Sequence, residues 1–230
     1  MLQKISFILA LVAATSIHGQ EVLVNEDPAA DTSLTENGPN RKHYFHSFVG
    51  FGIAADRGDK GAGVVFPHLD QLVLGLRYKR RLSNYFAVGY DLTYSVLKYK
   101  LKQDSSKTVP DTALHLKQRM NFQNLQAGIY FRINFDKRGN RLGNYIDAGA
   151  YLDAVISYTD FIKFRMPDES VIKQRRNNLS YFQRFNYGCV VRIGINKVIV
   201  FGQYRISDMF YHSYNFAELP RLTVGVQFVL

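Results

Sequence analysis

The sequence predicts an all-β fold, an eight-stranded antiparallel transmembrane β-barrel, and three observations predict it. Apolar and polar residues alternate with period two in eight separate segments, the spacing of a strand whose two faces meet different surroundings. Beyond residue 42 no stretch approaches the roughly eighteen continuous apolar residues of a spanning helix, so a membrane reading of this chain must use strands. The links between segments alternate short and long, as in a meander closed into a ring.

Composition agrees. In 230 residues, 47% hydrophobic and 21% charged excludes a disordered or collagen-like chain. The 15 Tyr, 17 Phe and 17 Gly against only 6 Pro favour strands over a Pro-rich linker. A single Cys excludes an intramolecular disulfide. The formal charge of +10 favours anionic partners such as phospholipid, lipopolysaccharide or nucleic acid.

Residues 1–20 place one cation, Lys4, before the mainly apolar run Ile5 to Ala14 and then small or polar residues Thr15, Ser16 and Gly19. That order is a secretory signal peptide's, with cleavage after Ser16, Gly19 or Gln20. As a helix the apolar run rises ~15 Å, about half a bilayer core, which disfavours an anchor. Residues 21–42 are polar, with Asn25, Pro28, Asn37, Gly38 and Pro39, and read as a flexible periplasmic leader. The barrel is assigned to residues 43–230.

The strands follow in order. Phe45, Val49, Phe51 and Ile53 alternate with His46, Phe48, Gly50 and Gly52; Leu72, Leu74, Leu76 and Tyr78 alternate with Val73, Gly75, Arg77 and Lys79. The third strand carries Phe86, Val88, Tyr90, Leu92, Tyr94 and Val96 on one face. Its ten steps at ~3.3 Å, tilted ~40°, cover about 25 Å, the apolar height of an outer-membrane barrel. In the fourth, Leu125 to Phe135 alternates as cleanly. The fifth sets Ile146, Ala148, Ala150, Leu152, Ala154 and Ile156 against Asp147, Gly149, Tyr151, Asp153 and Ser157. The sixth opposes Phe185, Tyr187, Cys189, Val191, Ile193 and Ile195 to Asn186, Gly188, Arg192 and Gly194. The seventh, Val200 to Ser207, is less regular, because Ile199 and Phe201 share the face of Gln203 and Arg205. The eighth sets Leu222, Val224, Val226, Phe228 and Leu230 against Thr223, Gly225 and Gln227.

Links Arg80 to Asn84, Asp136 to Gly143 and Asn196–Lys197 are short; Ala55 to Gln71, Leu97 to Asn121, Thr159 to Gln183 and Ser207 to Arg221 are long. In outer-membrane barrels short turns face the periplasm and long loops the exterior. A soluble sandwich or lipocalin-like barrel would also alternate, but with its apolar set packed inside. The signal peptide, polar leader, eight strands and final LTVGVQFVL together resemble small OmpA/OmpX-like outer-membrane barrels, especially the outer-membrane β-barrel family of Bacteroidota that includes PorT-like proteins. The resemblance covers about residues 43 to 230. It implies a Gram-negative outer-membrane location and recognition by the assembly machinery through the C-terminal strand, where Phe228 is the aromatic nearest Leu230. It also implies an alternative role as an accessory component of a secretion or envelope-assembly machine, type IX in PorT-like proteins.

On the expected lumen face lie Arg77, Arg132, Arg192 and Arg205 with Asp91, Asp147 and Asp153, which read as an ion-pair network filling the interior rather than a charged pore. Lys98, Lys100 and Lys102 continue the lipid-facing parity of the third strand and are candidates for lipopolysaccharide phosphate contacts. Arg165, Lys173, Arg175 and Arg176 add cations in the third long loop. Enzyme signals are weak: the neighbours His212 and Ser213 would point to opposite faces of a continued strand, poor geometry for a lipid A modifying enzyme. His43 and His46 likewise point apart, so no metal is expected. The reading is a non-enzymatic monomeric barrel without cofactors, its partners being outer-membrane lipid and an envelope protein, not nucleic acid.

Overall fold

A computed structural model describes residues 36–65, 69–135, 140–166, 169–177 and 179–230. The expected signal peptide and residues 21–35 of the leader lie outside them. The described chain carries nine strands: β1 (His43–Ala54), β2 (Gln71–Arg81), β3 (Phe86–Leu101), β4 (Lys117–Phe135), β5 (Asn144–Arg165), β6 (Val171–Asn177), β7 (Phe185–Ile195), β8 (Val198–Arg205) and β9 (Leu222–Val229). Eight of them close a ring. Each of β1 to β5 pairs antiparallel with the next, β5 pairs with β7, β7 with β8, β8 with β9, and β9 returns to β1 with Phe51 opposite Val226. Closure removes the unpaired strand edges that an open sheet would leave.

The predicted parity holds through the barrel wall. Leu74 and Ile129, at 48% and 69% exposure, look outward, while Arg77, Lys79 and Asp147 on the other parity are 0% exposed. The irregular strand resolves in the same terms. Ile199 and Phe201 do point inward with Gln203 and Arg205, but they are buried apolar filling of the lumen, with Ile199 packed on Tyr145, Leu142 and Val229.

Four features differ from the sequence reading. A ninth strand, β6, pairs with the upper part of β5 and turns the third long link into a hairpin outside the ring. β4 starts at Lys117, eight residues before Leu125, and continues the pairing with β3 up to Leu101. Ile156 is the extra residue of a bulge in β5, since Asn124 pairs with Val155 and Gln123 with Ser157. Parity therefore inverts above it: Ser157 belongs to the outer face, and Asp160 and Ile162 become the buried ones. The strands outrun the apolar band because β3, β4, β5 and β6 extend the same sheet above it.

The fourth difference concerns the leader, whose residues 36–42 are tied to the base of the barrel rather than flexible. The Lys79 ammonium donates to the Pro39 carbonyl, Arg81 donates to the Asn40 carbonyl at 2.8 Å, and the Asn40 amide donates to Asn140 Oδ1 at 3.2 Å. Cations leaving the lumen at this rim need acceptors, and the leader backbone supplies them. The tight turn between β7 and β8 places Asn196 at φ 53°, a left-handed conformation that Asn tolerates.

Tight packing inside the ring predicts a contrast between two glycines. A Cβ at Gly194 would lie 2.1 Å from Cζ of the Tyr145 ring, whereas at Gly202 nothing stands within 4 Å. Gly194→Val should destabilise the refolded barrel by about 1–3 kcal/mol and so lower its denaturant midpoint. Gly202→Ala should leave it unchanged, both read by loss of the fast-migrating folded band on a gel.

Candidate functional site

The lumen is layered from base to loops. At the base Tyr145 and Leu142 close on Ile199, Val229 and Tyr44. Above them strand pairing sets Asp147 opposite Arg132 and Asp91 opposite Arg77, and so builds the polar layer. Arg132 grips Asp147 through two bonds, Nε to Oδ1 at 2.6 Å and NH2 to Oδ2 at 2.8 Å, with its guanidinium 3.5 Å from the Tyr145 ring centre. Asp91 sits between two arginines: Arg192 NH2 donates to its Oδ2 at 2.9 Å and Arg77 Nε lies 3.6 Å away. Arg77 also donates to Gln227 Oε1 at 3.0 Å and lies over the Phe48 ring. A two-point carboxylate clamp backed by aromatic faces is the arrangement that holds arginine in a dry interior.

Five of the residues expected in one network, Arg77, Asp91, Arg132, Asp147 and Arg192, thus gather into two adjacent clusters. Arg205 and Asp153 do not join them. Arg205 pairs upward with Glu218 at 3.0 Å and with the carbonyls of Ser207 at 2.6 Å and Leu219 at 3.0 Å. Asp153 is buried but forms no salt bridge among the described residues, and its Oδ1 has no hydrogen-bond partner. It lines a narrow polar cavity of about 30 Å³ with Gln71, Asn124, Asn186 and Gln203. The reason for the split is loop closure. Glu218 accepts from the Met209 and Phe210 amides, at 3.0 and 3.3 Å, and so draws Arg205 away from the lumen. Gln227 was legible on the polar parity of the last strand; Glu218 was not, because its role depends on a loop.

Over the polar layer the long loops build an apolar lid. Phe122 meets Phe182 edge-to-face and Phe182 stacks on Phe210, with ring centres 4.9 and 5.1 Å apart, among buried Val64, Leu101, Val109, Met120 and Leu219. Tyr99 spans to the last loop by donating to the Pro220 carbonyl at 3.1 Å. Asp56 accepts from the Arg221 and Leu222 amides, both at 2.9 Å. The lumen is therefore packed at both ends.

The remaining candidates lie outside the lumen. Lys98 is exposed and Lys100 half-buried on the outer face of β3, but Lys102 turns away: its amide donates to the Gly63 carbonyl at 2.8 Å and it lines a loop depression with Asp59 and Asp104. His212 and Ser213 are exposed in a short 3₁₀ turn, not a strand. His46 is buried and stacked on Tyr44, while His43 Nδ1 lies 2.6 Å from the Tyr78 hydroxyl. No cluster of three His, Cys, Asp or Glu occurs among the described residues. Cys189 is exposed on the outer wall.

No known protein family matches this sequence, and no curated protein does. Among solved structures, the chain is similar to Ail, the attachment invasion locus protein of Yersinia pestis, solved in complex with the heparin analogue sucrose octasulfate. The TM-score is 0.33 at 10% identity, over 80% of this chain and 94% of that one.

The clamp makes a prediction that separates pairing from polarity. Arg132→Ala should destabilise the refolded protein by about 3–5 kcal/mol, because it strands the Asp147 carboxylate in the lumen. Arg132→Met combined with Asp147→Leu should recover most of that loss. Urea titration of both variants in the same detergent is the measurement.

Proposed function

We propose that the protein is a non-enzymatic integral protein of a Gram-negative outer membrane, with a sealed lumen and a structural or loop-presenting role at the cell surface. The observation that carries this reading is the inversion of the barrel. Arg132 with Asp147 and Arg192 with Asp91 are shut inside as pairs, while Leu72, Leu74, Leu76, Leu92, Ile129, Phe131, Val191 and Ile193 stand exposed around the outside. A wall of that kind is unfavourable in water and favourable against acyl chains, where every backbone group must also be bonded within the ring. Tyr78, Tyr90, Tyr187 and Tyr204 on the outer parity suit the interfacial girdles of such barrels. The short turns and the tied leader share one end, which corresponds to the periplasmic side in this class; the lid of long loops then faces outward.

The lumen supports a filled scaffold rather than a channel, since arginines and tyrosines occupy its cross-section. The exposed His212 and Ser213 make no side-chain hydrogen bond or ion pair among the described residues, which gives no support to lipid A chemistry.

Membrane fractions run on a gel with and without boiling test the reading. The outer-membrane fraction should hold a band that migrates faster unboiled, and the protein reconstituted in planar bilayers should give no conductance steps. Recovery in the soluble fraction would refute the membrane assignment, and stable unit conductance would refute the sealed lumen. Co-purification with secretion components would move the role from lone scaffold to machine accessory.

A further inference from the structure

Above the apolar band, the outer face of the extended β3–β6 part of the sheet concentrates positive charge. Strand register aligns it in rungs. Lys100 of β3 stands opposite Arg119 of β4, which faces Phe161 of β5, which faces Arg175 of β6. In the next rung Lys117, Lys163 and Lys173 lie side by side. These six cations, from four strands that are 75 residues apart at their extremes of sequence, have no salt bridge to an acid among the described residues; the acids nearby in sequence, Asp111 and Asp160, bond instead to Lys107 and Gln118. Between the rungs is a depression of about 400 Å³ walled by Lys117, Arg119, Asn121, Phe161, Lys163 and Lys173. Arg119 Nε is buried without a hydrogen-bond partner.

Like charges directly opposite on one sheet face destabilise it, and this sheet carries them in three consecutive pairings: Lys100 with Arg119, Lys117 with Lys163, and Lys163 with Lys173. On Lys117, outside the apolar band, the Arg119 charge first, then burial, Lys100 and Lys163 push the pKa below the ordinary lysine value, in keeping with that repulsion. A ligand carrying several closely spaced anionic groups would relieve it. The position narrows the choice, because on the outer face of β4 the Arg119 rung sits one position above Asn121, two above Gln123 and three above Leu125, the last outward apolar residue of that strand before the rungs. A long molecule anchored against the apolar wall and reaching up to the depression would meet these cations.

We propose that this four-strand face is a binding site for a lipid whose headgroup bears two or more phosphates, with Lys117, Arg119 and Lys163 as its central contacts and Lys100, Lys173 and Arg175 around them. The proposal rests on the membrane reading above and names the partner of that barrel. It shifts the expected contacts away from Lys102 and onto residues of β4 to β6. Guanidinium and ammonium groups suit phosphate as fork and point charges respectively.

The test uses the full chain refolded in zwitterionic detergent, with native mass spectrometry of bound bis-phosphorylated lipid A, monophosphorylated lipid A and phosphatidylcholine. The bis-phosphorylated lipid should be retained at least about tenfold better than either of the others. Lys117→Gln, Arg119→Gln and Lys163→Gln combined should lose on the order of 100-fold, at ~1 kcal/mol per cation. Arg80→Gln at the opposite rim should lose nothing. The gel shift, run on the same samples, reports whether each variant is folded. If wild type shows the folded band but binds all three lipids alike, or if the triple variant is folded and still selective, the site is overturned while the barrel stands. Displacement of bound lipid A by a soluble sulfated polysaccharide at equal phosphate and sulfate concentration would also overturn it in favour of an extracellular glycan. Absence of the folded band in wild type would instead sink the membrane reading itself.

Discussion

A carboxylate between two guanidiniums, enclosed by hydrocarbon and aromatic rings, is the constraint from which the rest of this structure follows. Asp91 has Arg192 and Arg77 beside it, and Asp147 has Arg132. Buried charges of this kind persist only when paired; register sets Arg77 beside Asp91 and Arg132 beside Asp147, while Arg192 reaches Asp91 across the lumen from β7, so a slip of one residue would expel the acids to the outer wall and bring leucines in. Register, parity and charge pairing are thus one requirement seen three ways. The wall can be greasy because the interior has somewhere to put its polar side chains.

The interior is also graded along the axis. Apolar filling at the base and under the loops brackets the charged layer, which keeps water from the ion pairs and strengthens them. Arg205 marks the boundary. It belongs by parity to the lumen and by partner to the lid, where Glu218 and three loop carbonyls hold it. The loops are consequently an extension of the core rather than a fringe, with Tyr99, Asp56 and Glu218 each joining separate links.

Much of this was legible in the sequence because period two is a local signal. The eight wall strands, the identity of the lumen arginines and aspartates, and the opposite directions of His43 and His46 all follow from counting by twos. What was not legible depends on pairing over distance. The bulge at Ile156 is invisible until β5 is laid beside β4, and it reverses the faces of the rest of β5. β6 reads as loop because its seven residues, VIKQRRN, are all exposed and show no alternation to detect. Lumen parity places Asp153 and Arg205 in the common ion-pair network; the acid that takes Arg205 instead, Glu218, comes from a loop that no periodicity describes. The tie between Lys79 and Pro39 was missed for a similar reason, since a polar leader carries no sign of the surface that receives it.

The seam between β1 and β9 joins segments that are far apart along the chain, with Phe48 to Ala54 against Thr223 to Val229 and the Leu230 amide on the Ser47 carbonyl at 3.0 Å. Without that ninth strand, the other seven wall strands would leave the flanks of β1 and β8 unpaired, so a chain cut before Leu222 would be a sticky sheet rather than a smaller closed shell.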